Sequence, residues 1–229
     1  MRLMDDVIGL FFPRLCNACQ ALLFKNEEII CTRCLLSLPR TNFHLHHDNP
    51  VMETFWGRIP LESATAYLYF SKAGHVQHLI HQFKYKGQLE VGRMLGRMFG
   101  KDLLQSPYFK NVEIIIPVPL HWSKKKARGF NQSEIFGQEI ATVMGIPLLS
   151  DVLIREKATA TQTRKSRFER WQNVNYVFSV INPAKIEGKH ILLVDDVITT
   201  GATIEASASA LLEVPGTKVS VAFLATASH

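Results

Sequence analysis

Two adjacent carboxylates, Asp195 and Asp196, stand between an apolar run, Ile191 to Val194, and a small hydroxylated segment, Thr199, Thr200, Gly201, Ala202 and Thr203. The apolar run has the length and β-branching of a strand buried on both faces. The stretch IEASASALLE after the hydroxylated segment places Ile204, Ala208, Leu211 and Leu212 at helical spacing. A strand, a tight turn and a helix start therefore follow one another. Free N–H groups at the start of a helix, reinforced by its dipole, form a ready anion site, and phosphate suits it. Gly201 lets the backbone come close, and the threonine hydroxyls donate to phosphate oxygens. The two acids would repel phosphate but accept hydrogen bonds from sugar hydroxyls. A ligand with a phosphate at one end and vicinal hydroxyls nearby, such as ribose 5-phosphate, meets both demands. A surface turn with an Asp cap needs neither the second acid nor the TTGAT loop.

A second group is built for metal. All four cysteines, Cys16, Cys19, Cys31 and Cys34, lie in CNACQALLFKNEEIICTRC. Two CxxC pairs across a short insert can close a tetrahedral zinc site. Four thiolates leave no open position, so the expected Zn2+ is structural. Two disulfides are the competing reading, disfavoured in a reducing cytoplasm.

Cations form the third group. The segment VEIIIPVP, residues 112–119, reads as a buried strand ended by Pro117 and Pro119. After it, Lys124, Lys125, Lys126 and Arg128 are expected in a loop, and a helix is expected to open near Asn131 to Ser133. This is a second anion site by the same physics. Two such sites at the ends of two parallel strands suit a ligand with phosphates at both ends, of which phosphoribosyl pyrophosphate (PRPP) is one. The KYKG stretch (Lys84, Tyr85, Lys86, Gly87) sets two cations and an aromatic at a helix break, facing either substrate or solvent. A polar insertion after Arg155 carries Gln162, Arg164, Lys165, Arg167 and Arg170. It reads as a lid closing over a leaving group, or as a solvated basic loop.

These groups need an α/β frame. The chain has 229 residues, enough for one domain of ordinary size and a small appendage. Strands are expected at 63–70, 112–119, around Ile191 to Val194 and after Thr217. Helices are expected on both sides of the break at Lys86–Gly87, where Met94, Leu95, Met98 and Phe99 form a core face. The division expected is a zinc-binding module at 1–45 and a second domain at 46–229. The polar stretch with His44, His46 and His47 between them reads as a solvated linker in preference to another metal site. Residues 1–12 read as a short amphipathic helix. Asp5 and Asp6 interrupt it, so no signal peptide is expected, nor any membrane insertion, and the location expected is cytoplasmic. The net charge of +6 suits a polyanionic substrate or nucleic acid.

Taken in order, the double CxxC, KYKG at 84–87, PVPLHWSKKKARGFNQSE at 117–134, ERWQN at 169–173 and VDDVITTGAT at 194–203 resemble the ComF family, which includes GntX-type members. His121–Trp122 and the lysine run stand where that family often has more arginine. The resemblance implies a type I phosphoribosyltransferase core, a parallel sheet with helices on both faces. PRPP and Mg2+ are then expected on Asp195, Asp196, Val197, Thr199, Thr200, Gly201, Ala202, Thr203, Lys84, Lys86, Lys124 and Arg128. Asp195, Asp196, Arg128 and Arg167 are expected to act catalytically, under a lid of Gln162, Arg164, Arg167 and Arg170. The family is linked to natural transformation, acting on incoming single-stranded DNA beside a helicase-like competence protein. The alternative is a non-catalytic module on the same fold, binding single-stranded DNA or a partner. In that case Trp122, Phe130, Phe168 and Trp171 would stack bases among the cations.

Overall fold

The computed structural model describes residues 13–71, 74–155 and 178–227. The expected helix at 1–12 and the lid residues Gln162, Arg164, Lys165, Arg167 and Arg170 lie outside the described residues, as do Phe168 and Trp171.

Four strands form one parallel sheet: β1 (Ala64–Phe70), β2 (Ile114–Pro117), β5 (His190–Ile198) and β6 (Lys218–Ala227), in the order β1-β6-β5-β2. Between β2 and β5, β3 (Leu153–Arg155) and β4 (Phe178–Val180) pair antiparallel as a separate ribbon. The β5 run is buried on both faces, as its unbroken apolar pattern requires. Leu192 and Val194 pack with α3 (His75–Tyr85), α4 (Leu89–Gln105) and α6 (Gln132–Met144). Ile191 and Leu193 pack on the other face with α7 (Ala202–Leu212) and α2 (Pro50–Glu53). Helices cover both faces. The short α1 (Thr32–Leu36) carries the last cysteine, and α5 (Trp122–Arg128) follows β2.

Three local expectations change. The strand expected to stop at Val194 continues through both acids to Ile198, because β6 extends the ladder, pairing Asp195 with Phe223, Val197 with Ala225 and Ile198 with Thr226. Lys124 to Arg128 lie on α5 and not in a loop. His121 accepts from the Ser123 N–H at its start, and Gly129, at φ 82°, closes its end in the left-handed region. The stretch expected as a solvated linker is so only in part: His46 and His47 are exposed, but His44, Asn49, Val51, Met52 and Phe55 are buried. Asn49 organises it, accepting from Val51 and Met52 N–H and donating from Nδ2 to the Ala64 carbonyl at 2.9 Å.

Candidate functional site

Residues on an extended strand alternate in direction, so adjacent acids near the carboxyl end of β5 serve opposite faces. Asp195 borders a small cavity of ≈ 40 Å³ lined by Thr199, Thr200, Gly201, Ala202 and Thr203. Its Oδ1 accepts from the Ser133 hydroxyl at 2.8 Å and from the Asp196 backbone N–H at 2.8 Å. Burial, and then the charge of Asp196, push the Asp195 carboxyl up to about 7, against these hydrogen bonds and the Lys84 charge. Asp196 faces α3, where Lys84 Nζ pairs with its Oδ2 at 2.7 Å; the two side chains are 16% and 18% exposed. A charge-assisted bond with this little solvent is worth about 1.5–3 kcal/mol.

Beyond Lys84 lies a second cavity of ≈ 300 Å³, lined by Lys84, Tyr85, Gly87, Lys124, Ala127, Arg128 and Phe130. The Arg128 guanidinium stands 4.9 Å from the Tyr85 ring centroid and donates to Tyr85 Oη at 3.2 Å and to Gln132 Oε1 at 2.8 Å. Gln132 is buried, and its Nε2 has no partner. Three cations and two aromatic rings make this a cavity for a polyanion with a planar or apolar portion.

The threonine loop is shaped from beneath. Gly201 sits at φ 76°, and a Cβ on it would fall 2.8 Å from the Phe55 ring. Glycine is therefore required both by backbone conformation and by the Phe55 floor. Arg58 holds the loop from outside, donating to the Thr200 carbonyl at 3.0 Å and pairing with Glu205. Thr199 and Thr200, with Ala202 and Thr203 at the start of α7, are exposed.

The four cysteines converge. Their Sγ atoms all lie within 4.8 Å of one another, and Cys19 and Cys31 are 3.8 Å apart. Tetrahedral coordination at Zn–S ≈ 2.3 Å requires sulfurs about 3.8 Å apart, so the cluster is compatible with zinc. Burial opposes ionisation of Cys16, but backbone N–H groups of Cys19, Cys31 and Ala18 outweigh it and lower the thiol to about 7. Glu27 braces the second pair, accepting from Thr32 N–H and Oγ1 at 2.6 and 2.7 Å and from Phe24 N–H at 2.9 Å.

Of the residues expected at the site, Asp195, Asp196, Val197, Thr199 to Thr203, Lys84, Lys124 and Arg128 gather around the end of β5. Lys86 does not line either cavity; it caps α3 and is exposed. Sequence reasoning missed Ser133, Gln132, Phe55 and Arg58. Ser133 and Gln132 sit in the RGFNQS string, whose helix-start pattern is the available signal. Phe55 and Arg58 lie in the stretch taken for a linker, and no local pattern ties them to a loop about 140 residues away (Arg58 to Thr200 is a separation of 142).

The family described as Phosphoribosyl transferase domain matches residues 131–229, the part that holds the helix start at Asn131, the acid pair and the threonine loop. The chain is 35% identical over 130 residues to Competence protein F of Haemophilus influenzae, covering 55% of this chain and 57% of that protein. It is 30% identical over 202 residues to DNA utilization protein YhgH of Shigella flexneri, covering 86% of this chain and 84% of that protein. With Competence protein ComFC of Bacillus subtilis it shares 27% over 202 residues, 87% of this chain and 78% of that protein. Among solved structures it is similar to a glutamine PRPP amidotransferase from B. subtilis complexed with ADP and GMP, with TM-score 0.45, 23% identity and coverage of 63% and 30% of the two chains. The YhgH match covers 86% of this chain and 84% of that protein, and on that breadth the chain belongs to the ComF family of phosphoribosyltransferase-like proteins.

Proposed function

We propose that this protein binds PRPP with Mg2+ across the carboxyl end of β5 and transfers its ribose 5-phosphate to an acceptor, releasing pyrophosphate, in the handling of incoming DNA in the cytoplasm. One observation carries the reading: the acid pair stands between two cavities fit for anions, one bordered by Asp195 and one reached through Lys84 on Asp196. The threonine loop and the α7 start take the 5-phosphate. Asp195 and Asp196 accept from the ribose hydroxyls. Lys84, Lys124 and Arg128 take the pyrophosphate, with Gln132 Oε1 holding the Arg128 guanidinium in place. As the bond from the anomeric carbon to pyrophosphate breaks, positive charge develops on the ribose ring, and the adjacent carboxylates stabilise it. Paired carboxylates are hard oxygen donors of the kind magnesium uses, and the ion when bound supplies charge neutralisation for the pyrophosphate. Structural zinc on Cys16, Cys19, Cys31 and Cys34, in a module of residues 1–45 set against a domain of residues 46–229, completes the reading.

Isothermal titration of PRPP and magnesium into the zinc-loaded protein tests it. The expected result is micromolar binding that disappears in Asp195→Asn/Asp196→Asn. A folded wild type that gives no heat sinks the reading. A second reading draws on Tyr85, 61% exposed beside three cations: the cavity takes single-stranded DNA without catalysis. The YhgH relatives are named as DNA utilization proteins, which supports it, and steep weakening by salt distinguishes it.

A further inference from the structure

The helix α3 touches both centres of the molecule. At its first residue, His75 Nδ1 lies 3.9 Å from Cys34 Sγ. One turn on, His78 Nε2 lies 3.1 Å from Gln20 Nε2, and that amide also donates to the Cys16 carbonyl at 2.9 Å. At the other end, three consecutive residues reach the acid-pair site. Phe83 stacks with Phe130 at 6.1 Å between centroids, Lys84 pairs with Asp196 at 2.7 Å, and Tyr85 carries Arg128. The helix has 11 residues and so spans about 16 Å at 1.5 Å per residue.

Its sides leave it little freedom to yield. Val76, Leu79, Ile80 and Phe83 are buried in the same cluster that holds Cys16, Cys31 and Cys34. A Cβ on Gly92 of α4 would fall 2.3 Å from the Phe83 ring, so the ring packs directly on the α4 backbone. A rod fixed at both ends passes a displacement on, because packed cores do not deform continuously.

We propose that α3 couples the cysteine site to the acid pair, with His75 as the positioning residue: a metal-bound Cys34 thiolate accepts from His75, seats the first turn of α3, and thereby sets the hold of Lys84 on Asp196. The state of the metal site then governs the affinity of the acid-pair site for its polyanionic ligand. The ligand part rests on the PRPP reading above; the coupling itself does not.

The test is amide hydrogen exchange on the full chain at saturating zinc, comparing wild type, His75→Ala and His75→Asn. The expected result is faster exchange at residues 84–87 in His75→Ala, with protection restored in His75→Asn, which keeps an N–H donor. Zinc affinity by chelator competition should fall about 10–100-fold in His75→Ala, the range for loss of a ligand's hydrogen-bond partner. Weakened zinc binding with unchanged exchange at 84–87 overturns the coupling. PRPP titration adds a second arm: His75→Ala should weaken binding in the wild-type background and have no effect on top of Lys84→Ala. An equal effect in both backgrounds also overturns it. If no variant binds PRPP, the proposed function fails, and the exchange arm alone decides the coupling.

Discussion

The two cavities beside the acid pair are made in opposite ways. The threonine-loop cavity is lined by residues 195 and 197–204 with a single distant contributor, Phe223. The cation cavity draws Lys84, Tyr85 and Gly87 from one helix end and Lys124, Ala127, Arg128 and Phe130 from another region of the chain. The first is lined almost wholly by one strand, one turn and one helix that form in sequence, with Phe55 and Arg58 bracing it from outside. The second exists only if α3 and α5 dock. A continuous motif is robust and local; an assembled one is open to control through whatever seats its parts.

That difference can be broken most severely at the cysteines. Cys34→Ser should abolish tight zinc binding, and a structural zinc contributes on the order of 10 kcal/mol in zinc-finger peptides. Elemental analysis and exchange mapping should show zinc lost and protection lost over residues 14–38 and 75–87, while β5, β6 and α7 stay protected. Loss of protection in α7 to the same degree would mean that the two cavities are not separable.

Asp195→Asn tests the electrostatics at the boundary between the cavities. The folded chain holds the Asp195 proton more tightly than the unfolded chain does, about 7 against 3.8. Its contribution to stability is thus fully present below 3.8 and is lost as pH rises through 7. The variant does not titrate, so its stability relative to wild type should rise between pH 5 and pH 8, by on the order of 2 kcal/mol once partial exposure is allowed for. Melting temperatures at the two pH values read this; a difference that does not change with pH would show that Asp195 is not held protonated.

Gly201→Val attacks the local cavity alone. Positive φ and the Phe55 contact together should cost about 1–3 kcal/mol, abolish PRPP binding, and leave zinc content and exchange at 84–87 untouched. The smallest effect expected is from Ser133→Ala, which removes one hydrogen bond to Asp195. Chemical denaturation should show a loss of about 1 kcal/mol, with zinc binding unchanged.

Much of this architecture was legible before any coordinates. The double CxxC declares its chemistry by spacing alone, since two thiolates per turn on each side of a short insert can meet without help from the rest of the chain. The break at Gly87 and the helix start at Asn131 were equally readable, as a left-handed glycine at φ 66° and a capping side chain on the Ser133 N–H. The buried stretch around Phe43 to Phe55 was not. Its histidines and acids look solvated, and only contact with β1 and the loop at Gly201 gives Val51, Met52 and Phe55 somewhere to be buried.

Asp195 and Asp196 show where the boundary falls. Their adjacency, the apolar strand before them and the small-residue turn after them are properties of consecutive residues, and strand periodicity follows from those. That burial and the Asp196 charge push the Asp195 carboxyl up, that Asp196 is met by Lys84, and that Lys84 stands at the far end of a helix packed on the cysteine cluster depend on contacts across 62 to 112 positions of chain (133 to 195, 84 to 196). Local order is encoded in short-range sterics and hydrogen bonding, and the sequence determined it alone. Charge environment and coupling depend on which distant surfaces share a core, and only the tertiary structure decided those.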